Sequence, residues 1–205
     1  KAHAMNRLGS TEAGTAHDAR RLKAINPDIK VLFYWNTFLN YPLYDACDEV
    51  AKHPDWLFRD QDEQLIYKTG RLEQYNLLNP QFRQWWASIA GKAVTEYGCD
   101  GIFMDATNQA KRPLWMKRGW GVGNEHLLTA AVIDMMQRAK KQMGHNSILL
   151  YNGLRSSDAG GTTAGDEYLP FADGANVEHF TAFRSRTKES IARDIEAIRN
   201  AGKSG

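Results

Sequence analysis

The chain has 205 residues, 42% hydrophobic and 24% charged, with 26 basic and 24 acidic side chains giving a net charge of +2. That is the composition of one ordinary soluble globular domain with a sizeable core, and it argues against a dedicated nucleic-acid surface, which needs basic excess or clustering. No apolar run reaches membrane-spanning length, and Cys47 and Cys99 form neither a disulfide framework nor a Cys/His cluster with metal spacing, so no metal and no membrane partner are expected.

The first predicted helix runs from Glu12 to Ile25 behind a Ser10/Thr11 cap, with Leu22 and Ile25 on its apolar side. Asn26-Pro27-Asp28 ends it. Lys30 to Asn36 (KVLFYWN) then reads as a buried strand closing on aromatic and polar groups. A long excursion follows. It contains a short helix over Asp45 to His53 and a hairpin pairing Trp56–Arg59 with Leu65–Lys68, expected to lie outside the main sheet. Gln74 to Leu77 is a short candidate strand. Asn79-Pro80 fits a helix N-cap followed by Pro at the first helical position, opening a helix to about Tyr97 with Trp85, Trp86, Ile89 and Val94 facing a sheet.

Cys99 to Asp105 (CDGIFMD) is the most informative stretch. The turn pair Asp100-Gly101 feeds three apolar residues that stop at a carboxylate, the pattern of a short parallel strand ending at a site. A loop with Trp115 and Trp120 leads to a helix over Asn124 to Met143. Ile148 to Asn152 is another apolar strand closing on a polar residue, and Ala175 to Glu178 a further one. A final helix spans Lys188 to Asn200, with Ile191, Ile195 and Ile198 at helical spacing.

Strands thus alternate with helices, and the crossovers are long enough for parallel pairing. The pattern predicts an α/β chain, a partial (β/α)8 TIM barrel in which residues 1–205 form one incomplete domain with the first and last strands missing. Strands near residues 33, 75, 103, 150 and 177 are expected as neighbours in that order. A complete doubly wound sheet is the alternative, but neither a Gly-x-Gly-x-x-Gly nor a P-loop pattern is present.

The strand ends carry His3, then Tyr34, Trp35 and Asn36, then Asn76, Asp105, Asn152, and finally Glu178 and His179. Core strands have no packing reason to end repeatedly in such groups. Asp105 and Glu178 are the carboxylates directly at strand ends. On alternate strands of a barrel they would face one another across its mouth. Two opposed carboxylates of different pKa are what glycoside hydrolysis needs, one as nucleophile and one as acid/base. Asp166 and Glu167, on a Gly-rich loop, are rivals to Glu178. His3, Tyr34, Trp35, Asn36, Asn76, Asn152 and His179 are the candidate substrate contacts, and Trp115 and Trp120 are candidate stacking platforms or loop anchors.

KVLFYWN, NLLNPQFRQWW (Asn76 to Trp86), GCDGIFMD (Gly98 to Asp105), LYNG (Leu150 to Gly153) and NVEHF (Asn176 to Phe180) together resemble the glycosyl-hydrolase-like TIM-barrel families of bacteria. The Asn-Pro-x-x-Arg-x-Trp and Asp-Gly-Ile-Phe-x-Asp segments also resemble retaining α-glycosidase clans. That resemblance implies a glycosidase with no cofactor, with Asp105 as nucleophile and Glu178 as acid/base, acting on a poly- or oligosaccharide. It also favours a secreted or periplasmic protein. A non-catalytic carbohydrate-binding barrel is the competing reading. A lyase or metal-dependent hydrolase is disfavoured by the lack of a strand-end Lys and of clustered His ligands.

Overall fold

The structure is a computed structural model and describes residues 10–68, 72–154, 165–178 and 187–203. His3, His179 and the segment from Ser156 to Thr163 lie outside the described residues.

Helix α1 (Thr11–Ile25) begins where the sequence places it, with the Ser10 side chain accepting from Ala13 N. It does not bury the expected side. Leu22 and Ile25 are 41% and 81% exposed, and Thr11, Glu12, Gly14 and Ala19 face inward instead. Glu12 is buried because its carboxylate accepts from the backbone N–H groups of Asp45 and Ala46. Strand β1 is Leu32–Asn36. The excursion then holds α2 (Cys47–Val50) and an antiparallel ribbon, β2 (Tyr67–Lys68) with β3 (Leu72–Glu73). The expected hairpin is present in its core, Phe58 pairing with Ile66 and Arg59 with Leu65.

Helix α3 (Pro80–Thr95) has Asn79 at its N-cap, accepting from Gln81 N and Phe82 N. Such a cap stabilises a helix by about 1 kcal/mol. The helix buries Phe82, Trp86, Ile89 and a run of alanines. Strand β4 (Gly101–Asp105) follows. Next come α4 (Pro113–Trp115) and α5 (Glu125–Met143), which packs along α3. Strand β5 is Ile148–Asn152, β6 is Gly174–Asn176, and α6 is Lys188–Ala201. The isoleucines of α6 do not form its buried side. Ile195 and Ile198 are almost half exposed, and Ser190 and Asp194 are buried instead.

The main sheet is parallel, with strand order β1-β4-β5-β6. The predicted order fails at one place. Residues 74–75 do not enter this sheet but bridge antiparallel to Leu39 and Leu57 within the excursion. The last strand also stops at Asn176, two residues before Glu178. Otherwise the order runs in one direction with no reversal.

The sheet's two faces differ. Phe33, Trp35, Ile102, Met104, Leu149 and Tyr151 are no more than 1% exposed, sealed under the helices. Trp35 Nε1 donates to Trp86 O, and Trp86 Nε1 returns a bond to Asn36 O at 2.9 Å. The other face carries Tyr34 beside Phe103, and Asn36 beside Asp105. Two arginines clamp α3 to α5 through one carboxylate. Arg83 Nε lies 2.6 Å from Asp134 Oδ2, and Arg138 Nε lies 2.8 Å from both oxygens.

Burial opposes ionisation of Asp134, but the Arg138 and Arg83 bonds outweigh it and hold its pKa below 3.8. A depressed folded pKa contributes stability that is full above the unfolded value and fades as pH falls through the folded one. Solvent screening keeps the clamp's worth below about 1 kcal/mol. Asp134→Asn should therefore lower Tm by no more than about 2–4 °C at pH 7, and calorimetry at a pH well below 3.8 should find the two proteins melting together. A difference that persists in acid would show that the carboxylate's charge is not what matters.

Candidate active site

The candidate site sits where the three strands β1, β4 and β5 end. Asn36 and Asp105 are register partners, so their side chains emerge on the same face. Asn152 is the corresponding last residue of β5, paired with Asn176 of β6. Strand alternation, with a period of two, brings Tyr34, Asn36, Asp105 and Asn152 together and sends Trp35 to the opposite, helix-covered face.

Asp105 is half-buried and accepts from every side. Its Oδ1 takes Asn152 Nδ2 at 2.7 Å and the Ala106 N–H at 2.7 Å. Its Oδ2 takes the Tyr34 hydroxyl and Asn36 Nδ2 at 3.2 Å. The N–H of Ala106 reaches back to the carboxylate of the residue before it, and Ala106 itself turns left-handed, with φ of 63°. A left-handed alanine costs about 1–2 kcal/mol, and local strain of this kind collects at functional sites. Asn36 does two jobs. Its Oδ1 accepts from Phe38 N and Leu39 N, which turns the chain out of β1, while its amide nitrogen reaches Asp105. Burial, then the bond to Asp105, pushes the Tyr34 hydroxyl well above its ordinary pKa of 10.0, so it remains a donor. Tyr41 is hydrogen-bonded to Tyr34, and burial raises it too.

Asn152 joins the two carboxylates. Its Nδ2 donates to Asp105 Oδ1 and to Glu178 Oε2, each at 2.7 Å. The two oxygens therefore lie at most about 5.4 Å apart, twice that distance. Asn176 Nδ2 donates to Asn152 Oδ1 at 3.2 Å and fixes which way the amide points. Glu178 itself is exposed at the rim.

Four predicted residues thus meet Asp105 directly or through one amide: Tyr34, Asn36, Asn152 and Glu178. Two others do not belong. Trp35 is a core residue, 1% exposed. Asn76 sits in the turn before α3, where its Nδ2 donates to Asp55 O and its Oδ1 accepts from Leu78 N. It moved out of the site together with the strand that was expected to carry it. Trp115 and Trp120 are buried anchors and not exposed platforms, with Trp120 stacked flat on Phe58 at 3.7 Å. Of the rivals to Glu178, Glu167 is occupied by Lys111, whose Nζ lies 2.5 Å away with side chain only 2% exposed. Asp166 is exposed on the 3₁₀ turn Asp166–Phe171.

One site residue was missed. Lys68, at the end of β2, donates to Gln109 Oε1 at 2.7 Å. Gln109 lies in the loop after β4, so this bond brings the excursion over the same strand ends. Burial lowers the pKa of Lys68, the Arg112 charge adds to that, and the Asp105 and Glu178 charges oppose it. No periodic signal marks an isolated lysine in a two-residue strand. Among the described residues no group of three or more His, Cys, Asp or Glu could hold a metal ion, and no helix is long and apolar enough to cross a membrane.

None of the curated proteins matches the chain. Among solved structures, it is similar to an alpha-galactosidase from Thermus thermophilus, solved in complex with p-nitrophenyl alpha-D-galactopyranoside. That match has a TM-score of 0.53 and 23% identity over 78% of this chain and 29% of that one, a likeness of fold. A second match is the chitinase domain of the spore coat protein CotE from Clostridium difficile, with a TM-score of 0.37 and 17% identity over 87% of this chain and 64% of that one. The chain therefore spans less than two thirds of either solved chain. The model of one protein family, Hypothetical glycosyl hydrolase family 15, matches residues 23–205. With nearly all of its sequence inside that match, the chain belongs to this glycosyl-hydrolase-like family.

Proposed function

We propose that this chain carries the reaction centre of a glycoside hydrolase that cleaves a poly- or oligosaccharide with retention of configuration, using Asp105 as nucleophile and Glu178 as acid/base. The observation that carries the reading is the shared amide of Asn152, which holds an oxygen of each carboxylate at 2.7 Å. A separation of about 5–5.5 Å suits attack by one carboxylate on the anomeric carbon, whereas inverting enzymes need roughly 6.5–9.5 Å to admit a water.

The four hydrogen bonds to Asp105 fix its orientation. Asp105 attacks the anomeric carbon as the glycosidic C–O bond breaks, and Glu178 gives its proton to the leaving oxygen. Water then replaces the leaving group. Glu178 takes a proton from it, and the ester to Asp105 is hydrolysed.

The scaffold we propose is a (β/α)8 barrel, with residues 1–205 as part of one such domain. Its support is topological. Parallel strands added in one direction by right-handed crossovers place all their helices on one face. A doubly wound sheet needs a reversal in strand order to cover both faces, and β1-β4-β5-β6 has none. A barrel covers its inner face by closing on itself, which leaves Tyr34, Asn36, Asp105 and Asn152 at its mouth.

Release of reducing ends across a panel of polysaccharides and oligosaccharides tests the function. Turnover by the chain and its loss in Asp105→Asn are expected. Saturable sugar binding with no turnover of any substrate would favour a carbohydrate-binding barrel instead.

A further inference from the structure

Asn152 holds both carboxylates in only one of the two orientations open to its amide. Its Nδ2 faces Asp105 Oδ1 and Glu178 Oε2, each at 2.7 Å, and its Oδ1 faces Asn176 Nδ2 at 3.2 Å. The two ends of an amide have nearly the same shape and opposite hydrogen-bonding character. Turned over, Asn152 would set an acceptor against both carboxylates and a donor against the Asn176 donor. While both carboxylates are ionised their charges oppose this, because an ionised carboxylate only accepts.

That protection lapses during the reaction. In the first step Glu178 carries its proton, and a protonated carboxyl group donates as well as accepts. The charge of Asp105 falls as it attacks the anomeric carbon. A turned amide would then offer its Oδ1 to the Glu178 proton and draw it away from the leaving oxygen. Asn176 has no charge to lose. It ends β6 as the register partner of Asn152, is half-buried, and accepts through its backbone carbonyl from Gly153 N at 3.4 Å. Its place is set by the sheet and does not change with the ionisation of the site.

We propose that Asn176 is a positioning residue for the acid step: its amide donor keeps the Asn152 carbonyl turned away from Glu178, and so keeps the Glu178 proton available to the leaving group. The proposal rests on the reading of Asp105 and Glu178 as nucleophile and acid/base, and it adds a residue that acts on them through Asn152.

The test is the leaving-group dependence of the steady-state rate. Substituted phenyl glycosides of the sugar that the parent turns over fastest are compared at neutral pH in the parent, Asn176→Leu and Asn176→Gln. Asn176→Leu keeps the bulk of the side chain and removes the donor. It should slow substrates with poor leaving groups about tenfold or more, and activated ones by no more than about twofold, which steepens the slope in the direction of Glu178→Gln. Asn176→Gln retains an amide donor and should keep the parent slope. If Asn176→Leu fails to fold, Asn176→Asp, which has the parent shape and no donor when ionised, should steepen the slope in its place. Equal slowing of every substrate, or an unchanged slope in the variant without the donor, would make Asn176 a packing residue and overturn the proposal. A slope as steep in Asn176→Gln as in Asn176→Leu would do the same. In each case the hydrolase reading stands, since Glu178→Gln tests it separately. No turnover of a phenyl glycoside of any sugar by the parent would remove both.

Discussion

Asp105→Asn is expected to lower turnover of any substrate by at least about a thousandfold, while the protein keeps its fold. The amide is isosteric with the carboxylate. It still accepts through its oxygen from the donors around it, but it brings an NH2 against at least one of them. It cannot form the ester that retention requires. Glu178→Gln should behave differently. Loss of the acid slows substrates with poor leaving groups by about 10²–10⁴-fold, whereas activated aryl glycosides, which depart with little protonation, should be slowed far less in the first step. Steady-state rates across a series of aryl glycosides with differing leaving-group pKa would read this as a steep slope in the variant and a shallow one in the parent. Full activity in Asp105→Asn, or equal slopes, would remove both assignments.

Gly101→Ala should fail for a reason of geometry. A Cβ at Gly101 would lie 1.8 Å from the Ile148 carbonyl oxygen and 2.6 Å from its carbon, where β4 starts against β5. Backbone occupies the space, so no side chain can swing aside. The strand must separate from its neighbour or the chain must not fold, a loss of about 4 kcal/mol or more. For a chain of this size that is a fall in Tm of about 8–16 °C, or no folded protein at all. Gly98→Ala is the control. Gly98 has a positive φ of 73°, but nothing lies within 4 Å of where the added methyl would sit, so only the backbone cost of about 1–2 kcal/mol applies. Similar melting of the two variants would mean that β4 and β5 do not approach as described.

The parts of this structure visible in the sequence are those with a local physical cause. Asn79-Pro80 announces α3 because a capping side chain and a fixed φ act within one turn. Ile102-Phe103-Met104 stopping at Asp105 announces β4 because a buried parallel strand is apolar until it reaches the mouth. Three site residues, Asn36, Asp105 and Asn152, follow from that pattern alone.

The errors have equally local causes. Tyr34, Trp35 and Asn36 are consecutive, and a strand cannot turn three consecutive side chains to one face. The phase that buries Trp35 against Trp86 was available in principle from the Phe33/Trp35 alternation. Tyr75 looks like a strand residue because it is aromatic and stands between the polar Gln74 and Asn76 with Leu77 two residues on, and it is indeed fully buried, but within the excursion. Its neighbour Asn76 went with it. The exposed Ile195 and Ile198 show that helical spacing finds a stripe without saying what covers it. Lys68 was illegible because its place depends on a tertiary bond to Gln109, 41 residues further along the chain.

The stereochemistry of the first-formed product tests the central claim most directly. The claim is that Asn152 holds two carboxylates at the separation that a covalent intermediate needs. Proton NMR of the anomeric signals, recorded in the first minutes of turnover before mutarotation, distinguishes the outcomes. A product with the anomeric configuration of the substrate is expected. A product of inverted configuration would contradict it.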